Sequence, residues 1–258
     1  MKHLPLAGKT VLVTRGKEQA RAFSEQLKQA GAIPVEIPLI SISAVTETKE
    51  IEECVRELPN YDWLVFTSAN GVRFFFSFVR DTAPLPNVAV VGKKTAIALE
   101  KRGITPSVVP DEFVAEGLIE AIKPLVKPTD RVLLVKGNLA RPTLKEALVQ
   151  LGADVTDLVV YETKMNESGK AQLLELLKKN AIDVLTFTSP STVASFMNIM
   201  NEIEWQPLLA HCAIACIGPV TKQAAENVGL PIHICPENYT IDGMIKAMET
   251  FFQMEGKQ

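Results

Sequence analysis

Histidine is scarce in this chain: His3, His211 and His233 are scattered through 258 residues, and none stands at the helical spacing that sets two imidazoles on one metal ion. A zinc site or a Ser-His-Asp hydrolase therefore has little to build on. Cysteine is equally thin. Cys54, Cys212, Cys216 and Cys235 form no CxxC pair and three lie in apolar strand-like runs, so they read as buried free thiols in a reducing compartment. No run approaches the roughly 18 apolar residues of a membrane span, and the opening Met1–Gly8 lacks the apolar core of a signal peptide. The expectation is a cytoplasmic protein with no membrane partner. A net charge of −3 excludes broad electrostatic attraction to nucleic acid. The glycines form neither a GxxxxGK[ST] loop nor a GxGxxG turn, and no acidic cluster has calcium-loop spacing. Nothing demands a nucleotide, a flavin or a metal, so the reading is of an enzyme with no cofactor, its chemistry supplied by side chains and backbone.

What is present is an ordinary globular balance, with 47% hydrophobic and 22% charged residues, in a length that suits one large or two modest domains. Only a tail after about Phe252 is expected to fray. The chain repeats itself. Tyr61-Asp62-Trp63-Leu64-Val65-Phe66-Thr67-Ser68 returns as Ile182-Asp183-Val184-Leu185-Thr186-Phe187-Thr188-Ser189, 121 positions later, and Thr10–Val13 returns as Arg131–Leu134 at the same offset. Val91-Gly92, Gly103 and Pro110 return as Ile217-Gly218, Gly229 and Pro236 with the offset now 126. Landmarks kept in order across one five-residue insertion indicate two copies of one fold.

Each copy alternates short apolar strands with helical spacing. Strands are expected at 10–14, 62–67, 88–92, 107–109, 132–135, 154–161, 183–188, 212–217 and 231–235. Unalternating strands separated by helices imply parallel sheets covered on both faces. The class is α/β, with two similar doubly wound, flavodoxin-like lobes.

Ligands of such sheets bind beyond the carboxyl ends of the strands. Six strand-to-helix turns are small and polar: Thr14-Arg15-Gly16, Thr67–Gly71, Gly92–Thr95, Lys136-Gly137-Asn138, Thr188–Thr192 and Gly218–Thr221. Singly these are caps and tight turns. Together, with Arg15, Arg73, Lys93, Lys136 and Arg141 nearby, they imply helix N-termini and cations grouped around an anionic ligand. Tyr61, Tyr239, Trp63, Trp205 and Phe74-Phe75-Phe76 read as packing.

These strings resemble the uroporphyrinogen-III synthases over nearly the whole chain. The resemblance rests on Val11–Arg15, Phe66–Val72, Val91–Ala96, Lys136–Arg141, Val160–Thr163, Phe187–Ser191 and Ile217–Thr221, in order and at family spacing. It implies an interleaved division: 1–37 with 166–258 as one lobe, 44–158 as the other, and 38–43 and 159–165 as a two-stranded connector. The repeat alone would divide the chain near residue 127. The resemblance further implies a monomer acting on a small-molecule tetrapyrrole, the linear hydroxymethylbilane, closing it with inversion of the terminal ring and loss of water.

Tyr161 matches the tyrosine that the family uses to assist departure of the hydroxyl, since a phenol holds its proton at neutral pH. Implied substrate contacts are Thr14, Arg15, Ser68, Asn70, Gly92, Lys93, Lys136, Gly137, Asn138, Ser189, Ser191, Gly218 and Thr221. Two α/β lobes around a cleft also describe a solute receptor, so a cytosolic sensor or a regulatory relative stays open at this stage.

Overall fold

A computed structural model describes residues 4–79 and 84–255, leaving aside the side chains of Glu18 and Glu255. In chain order the elements begin β1 (Thr10–Val13), α1 (Lys17–Gln29), β2 (Ile33–Glu36), β3 (Ile40–Ala44) and α2 (Lys49–Arg56). They continue with β4 (Trp63–Phe66), α3 (Ala69–Phe75), β5 (Asn87–Val90), α4 (Lys93–Glu100), α5 (Ala115–Ile122) and β6 (Arg131–Gly137). Then come α6 (Thr143–Gln150), β7 (Asp154–Met165), α7 (Lys170–Lys178), β8 (Val184–Phe187) and α8 (Pro190–Ile199). Strand β9 (Ala213–Cys216) and helices α9 (Pro219–Glu226) and α10 (Ile241–Glu255) complete the set. The last helix runs to Glu255, and the rest of the tail expected to fray, 256–258, lies outside the described residues.

By contact the chain divides into two compact units, Met1–Ser41 with Lys164–Gln258, and Ile42–Thr163. The first holds the parallel sheet β2-β1-β8-β9. Short Val/Ile/Leu strands with no polar alternation need cover on both faces. Leu12, Leu185 and Phe187 face Leu173, Leu177, Val193 and Phe196 of α7 and α8. On the opposite face Val11, Val13 and Val184 meet Phe23 and Leu27 of α1 and Met244 and Met248 of α10.

The second unit holds the sheet ordered β3-β7-β6-β4-β5. Leu64 and Phe66 pack on Ile51, Val72, Phe75 and Leu99 from α2, α3 and α4. Trp63 and Val65 pack on Leu118 and Ile122 of α5 and Leu144 and Leu148 of α6. Strands β1, β2 and β8 begin 121 positions from β6, β7 and β4, and β9 begins 126 from β5. Each sheet ends in an isolated parallel bridge, Ala89 with Val108 and Ala215 with Ile234. Those bridges are all that forms where strands were expected at 107–109 and 231–235. Prolines 106, 110, 231 and 236 bracket both segments, and a residue without an N–H cannot extend a ladder. Among the described residues no helix is long and apolar enough to cross a membrane.

Candidate functional site

The best-defined constellation lies in the second unit, at the carboxyl ends of β4, β6 and β7. Ser68, two residues beyond β4, has extended backbone and caps α3, its Oγ accepting the Gly71 N–H at 3.0 Å. The same Oγ lies 3.0 Å from the Tyr161 hydroxyl, and either group can be the donor. Phe74, one turn further along α3, stacks on the Tyr161 ring with centroids 5.7 Å apart.

Local strand geometry explains why Tyr161 faces this way. Register with β6 runs Val135–Leu158 and Lys136–Val159, then jumps to Gly137–Tyr161, so β7 carries one extra residue, Val160. A bulge re-aims the side chain that follows it. Without it Tyr161 would follow Asp157 and Val159 to the α6 face, because each one-residue slip reverses the faces. Gly137 then leaves room for the ring: a Cβ there would overlap the ring carbons and sit 2.7 Å from the phenol oxygen.

Tyr161 and Ser68 line a cavity of about 400 Å³ together with Thr67, Val91, Phe113, Leu139, Arg141 and Thr163. The mouth is mixed in character. Phe113 and Leu139 are largely exposed, while Arg141 pairs with Glu116 at 3.2 Å. Arg73 lies over the Phe74 ring, 4.4 Å from its centroid.

The other expected contacts fall into distinct positions. Asn70 is half-buried in the first turn of α3, Gly92 is the residue before α4, and Lys93 is exposed at its start. Asn138 accepts the Thr163 N–H at 2.8 Å and donates to the Thr163 carbonyl at 3.3 Å, tying down the end of β7. Lys136 lies on the opposite face from Tyr161, bonded to Asp157 at 2.8 Å, and Lys145 reaches the same carboxylate at 3.3 Å. Its charge is balanced inside the sheet.

In the first unit Ser189 repeats the role of Ser68, accepting the Thr192 N–H at 3.4 Å, and its hydroxyl lies 2.9 Å from that of Ser191. Thr14 is fully buried and donates to the Thr186 carbonyl at 2.6 Å, so its hydroxyl serves the sheet. Thr221 is buried in α9, and Gly218 precedes that helix. Arg15 is the repeat partner of Lys136, but among the described residues it has no ion pair. Its guanidinium donates to Gln19 at 2.7 Å, its Nε is buried without a hydrogen-bond partner, and burial alone pulls its pKa below the ordinary value.

The structure thus joins Ser68, Gly137 and Tyr161 in one cluster and Ser189 with Ser191 in another. Three features escaped the sequence reading. Phe74, packed against the core as expected, also stacks on the Tyr161 ring. Phe113 lines the cavity mouth, and Tyr239, expected to be packed, is 59% exposed. Continuing the 126-residue offset past Pro110 and Pro236 would have paired Phe113 with Tyr239 from sequence alone. Tyr61 does pack as expected, buried with its hydroxyl 3.0 Å from Thr156 Oγ1. Among the described residues no group of three or more His, Cys, Asp or Glu side chains could hold a metal ion.

The family described as uroporphyrinogen-III synthase HemD matches residues 21–246. A uroporphyrinogen-III synthase from Chlorobaculum parvum is 34% identical, the match covering 93% of this chain and 98% of that one. One from Synechococcus elongatus is 30% identical over 96% and 97% of the two chains. Among solved structures, a mutant uroporphyrinogen III synthase from Thermus thermophilus aligns with a TM-score of 0.67 at 21% identity, covering 96% of this chain and all of that one, and so shares the α/β fold. The chain belongs to the uroporphyrinogen-III synthase family, cyclising lyases that convert hydroxymethylbilane in tetrapyrrole biosynthesis.

Proposed function

We infer that this protein closes hydroxymethylbilane into uroporphyrinogen III, with Tyr161 as the acid for loss of the hydroxyl. The observation that carries the assignment is the Tyr161 hydroxyl at 3.0 Å from Ser68 Oγ on the wall of an open cavity. Because Ser68 Oγ already accepts the Gly71 N–H, its own proton is free to go to the phenol oxygen. With Ser68 as the donor, the phenolic proton points away from Ser68 and toward a ligand.

Proton transfer from Tyr161 to the departing hydroxyl breaks the C–O bond, releases water and leaves an azafulvene. Attack by the substituted α-carbon of the last pyrrole gives a spiro intermediate, which fragments and recloses with that ring inverted. The proton shed by that pyrrole at final ring closure restores the phenol. The reactive azafulvene also cyclises unaided to the uninverted isomer. The protein's main task is therefore to hold the folded substrate, through orientation and fixed dipoles. Helix N-termini at Ser68, Gly92, Ser189 and Gly218 suit the substrate's carboxylates, and Arg15, with its unused donor, is the better-placed cation than Lys136.

On this reading the two units are two copies of one flavodoxin-like lobe, with the chain crossing at 38–43 and 159–165. The strand order supports it: β2-β1-β8-β9 with the Ile234 bridge corresponds to β7-β6-β4-β5 with the Val108 bridge. The enzyme works as a cytoplasmic monomer without a cofactor, a placement supported by four free thiols. Incubation with freshly generated hydroxymethylbilane, followed by oxidation and separation of uroporphyrin isomers, tests the activity. Isomer III is expected, and isomer I alone in the presence of folded protein would refute it.

A further inference from the structure

The two sheets share a feature that neither the repeat motifs nor the acid chemistry accounts for. Gly92 and Gly218 stand just before α4 and α9, 126 residues apart, in extended backbone that any residue adopts (φ −164° and 179°). An exposed aromatic residue neighbours each of them closely. A Cβ on Gly92 would come 3.3 Å from the Phe113 side chain, and one on Gly218 would come 3.1 Å from the Tyr239 ring. Phe113 and Tyr239 are themselves 126 residues apart. Packing residues bury their rings, yet these are 55% and 59% exposed. Both stand at the carboxyl end of their own sheet, where α/β proteins bind ligands. Phe113 shares the Tyr161 cavity with the exposed Leu139.

We propose that Phe113 and Tyr239 are substrate-covering rings, each offering within its own unit an apolar wall for the face of a pyrrole. This rests on the function inferred above. A pyrrole of that substrate has an apolar, electron-rich face and carboxylate arms at its edge. Each turn offers the matching pair: an exposed aromatic ring, and beside it the opening N–H groups of a helix, those of Lys93 and Lys94 in α4 and of Val220 and Thr221 in α9, where Pro219 has none. At Gly218 the Tyr239 ring itself is the close neighbour, and at Gly92 it is the Phe113 Cβ, with the ring further out. Both units pair such a glycine with an exposed aromatic residue, Phe in one and Tyr in the other, so the shared property is the ring and not the hydroxyl.

The test is steady-state kinetics with hydroxymethylbilane, alongside thermal melts, for Phe113→Ala, Tyr239→Ala, and the leucine variants Phe113→Leu and Tyr239→Leu. Each alanine variant is expected to raise KM about tenfold, as loss of a ring contact implies, with kcat changed less and Tm nearly unmoved because the rings are exposed in the free protein. Phe113→Tyr and Tyr239→Phe are expected to restore KM. Leucine keeps bulk without a flat face, and its KM is expected to stay between wild type and alanine, which keeps the test valid should an alanine variant fail to fold. KM unchanged in the alanine or leucine variants of both positions, while wild type forms isomer III, overturns the covering role. Wild type that forms only isomer I overturns the parent assignment instead, and the two failures are distinct.

Discussion

The Tyr161 hydroxyl and Ser68 Oγ are 3.0 Å apart, and that same Ser68 oxygen caps α3 by accepting the Gly71 N–H. One hydroxyl thus joins the start of a helix to the proposed acid. Ser68→Ala removes both bonds. Loss of the cap is expected to lower stability by about 1 kcal/mol, read from denaturant melts. Loss of the phenol's partner is expected to lower kcat by roughly three- to tenfold with little change in KM. Ser68→Thr keeps the oxygen and is expected to recover most of kcat. In a Tyr161→Phe background the Ser68→Ala step is expected to have little further effect on kcat, because residues acting as a unit are not additive.

Gly137→Ala places a methyl where the Tyr161 ring now lies. Overpacking of this kind costs about 1–3 kcal/mol and displaces one partner. Since Gly137 lies within β6 and the Tyr161 ring is at the cavity edge, the ring is expected to yield. The variant should melt somewhat earlier and lose turnover nearly to the Tyr161→Phe level. Near-UV circular dichroism reports the displaced tyrosine directly.

Lys136 and Asp157 form a pair whose side chains are only 13% and 18% exposed. Removing the carboxylate leaves two lysines facing one another, so Asp157→Ala is expected to cost about 2 kcal/mol, below the range for fully buried pairs because some water reaches this one. Lys136→Met is expected to cost less, because Lys145 still holds Asp157 at 3.3 Å. Urea midpoints of the two variants check the order, and equal losses would argue against a shared carboxylate.

Burial pushes the thiols of Cys212 and Cys216 from an ordinary value of 9.0 up to about 12. A raised folded-state pKa means the stabilisation is complete below pH 9, where both states hold the proton. It is lost as pH rises through the window to about 12, where the unfolded chain ionises first. Folding stability is therefore expected to fall over that alkaline window, and less steeply in a Cys212→Ala, Cys216→Ala double variant. At pH 8 a thiol reagent should leave both residues unmodified in the folded protein and label them after denaturation.

Periodicity and repeats made most strands, the offsets and the caps at Ser68 and Ser189 legible, because each depends on a few neighbouring residues. They did not reveal β2 (Ile33–Glu36) or β3 (Ile40–Ala44), short edge strands with little apolar run of their own. The prolines at 106, 110, 231 and 236 were visible too, but the propensity of Val108 and Ile234 outweighed them in the reading, and the expected strands shrank to single bridges. Long-range partnerships were not legible. Nothing around Val160 marks a bulge, since a register shift is a property of two strands, and without the bulge Tyr161 would face α6. Nor does anything near Lys136 announce that Asp157, on the next strand, neutralises it. Thr14 looked like an open turn residue because its carbonyl partner, Thr186, is 172 positions away.

The central claim is that Tyr161 supplies the proton for departure of the hydroxyl. It is tested most directly by single-turnover consumption of hydroxymethylbilane by wild type and Tyr161→Phe at saturating substrate, with isomer analysis of the product. The account predicts a rate lower by on the order of a hundredfold in the variant, the enzyme-derived product still containing isomer III because the binding geometry remains. An unchanged single-turnover rate would contradict it.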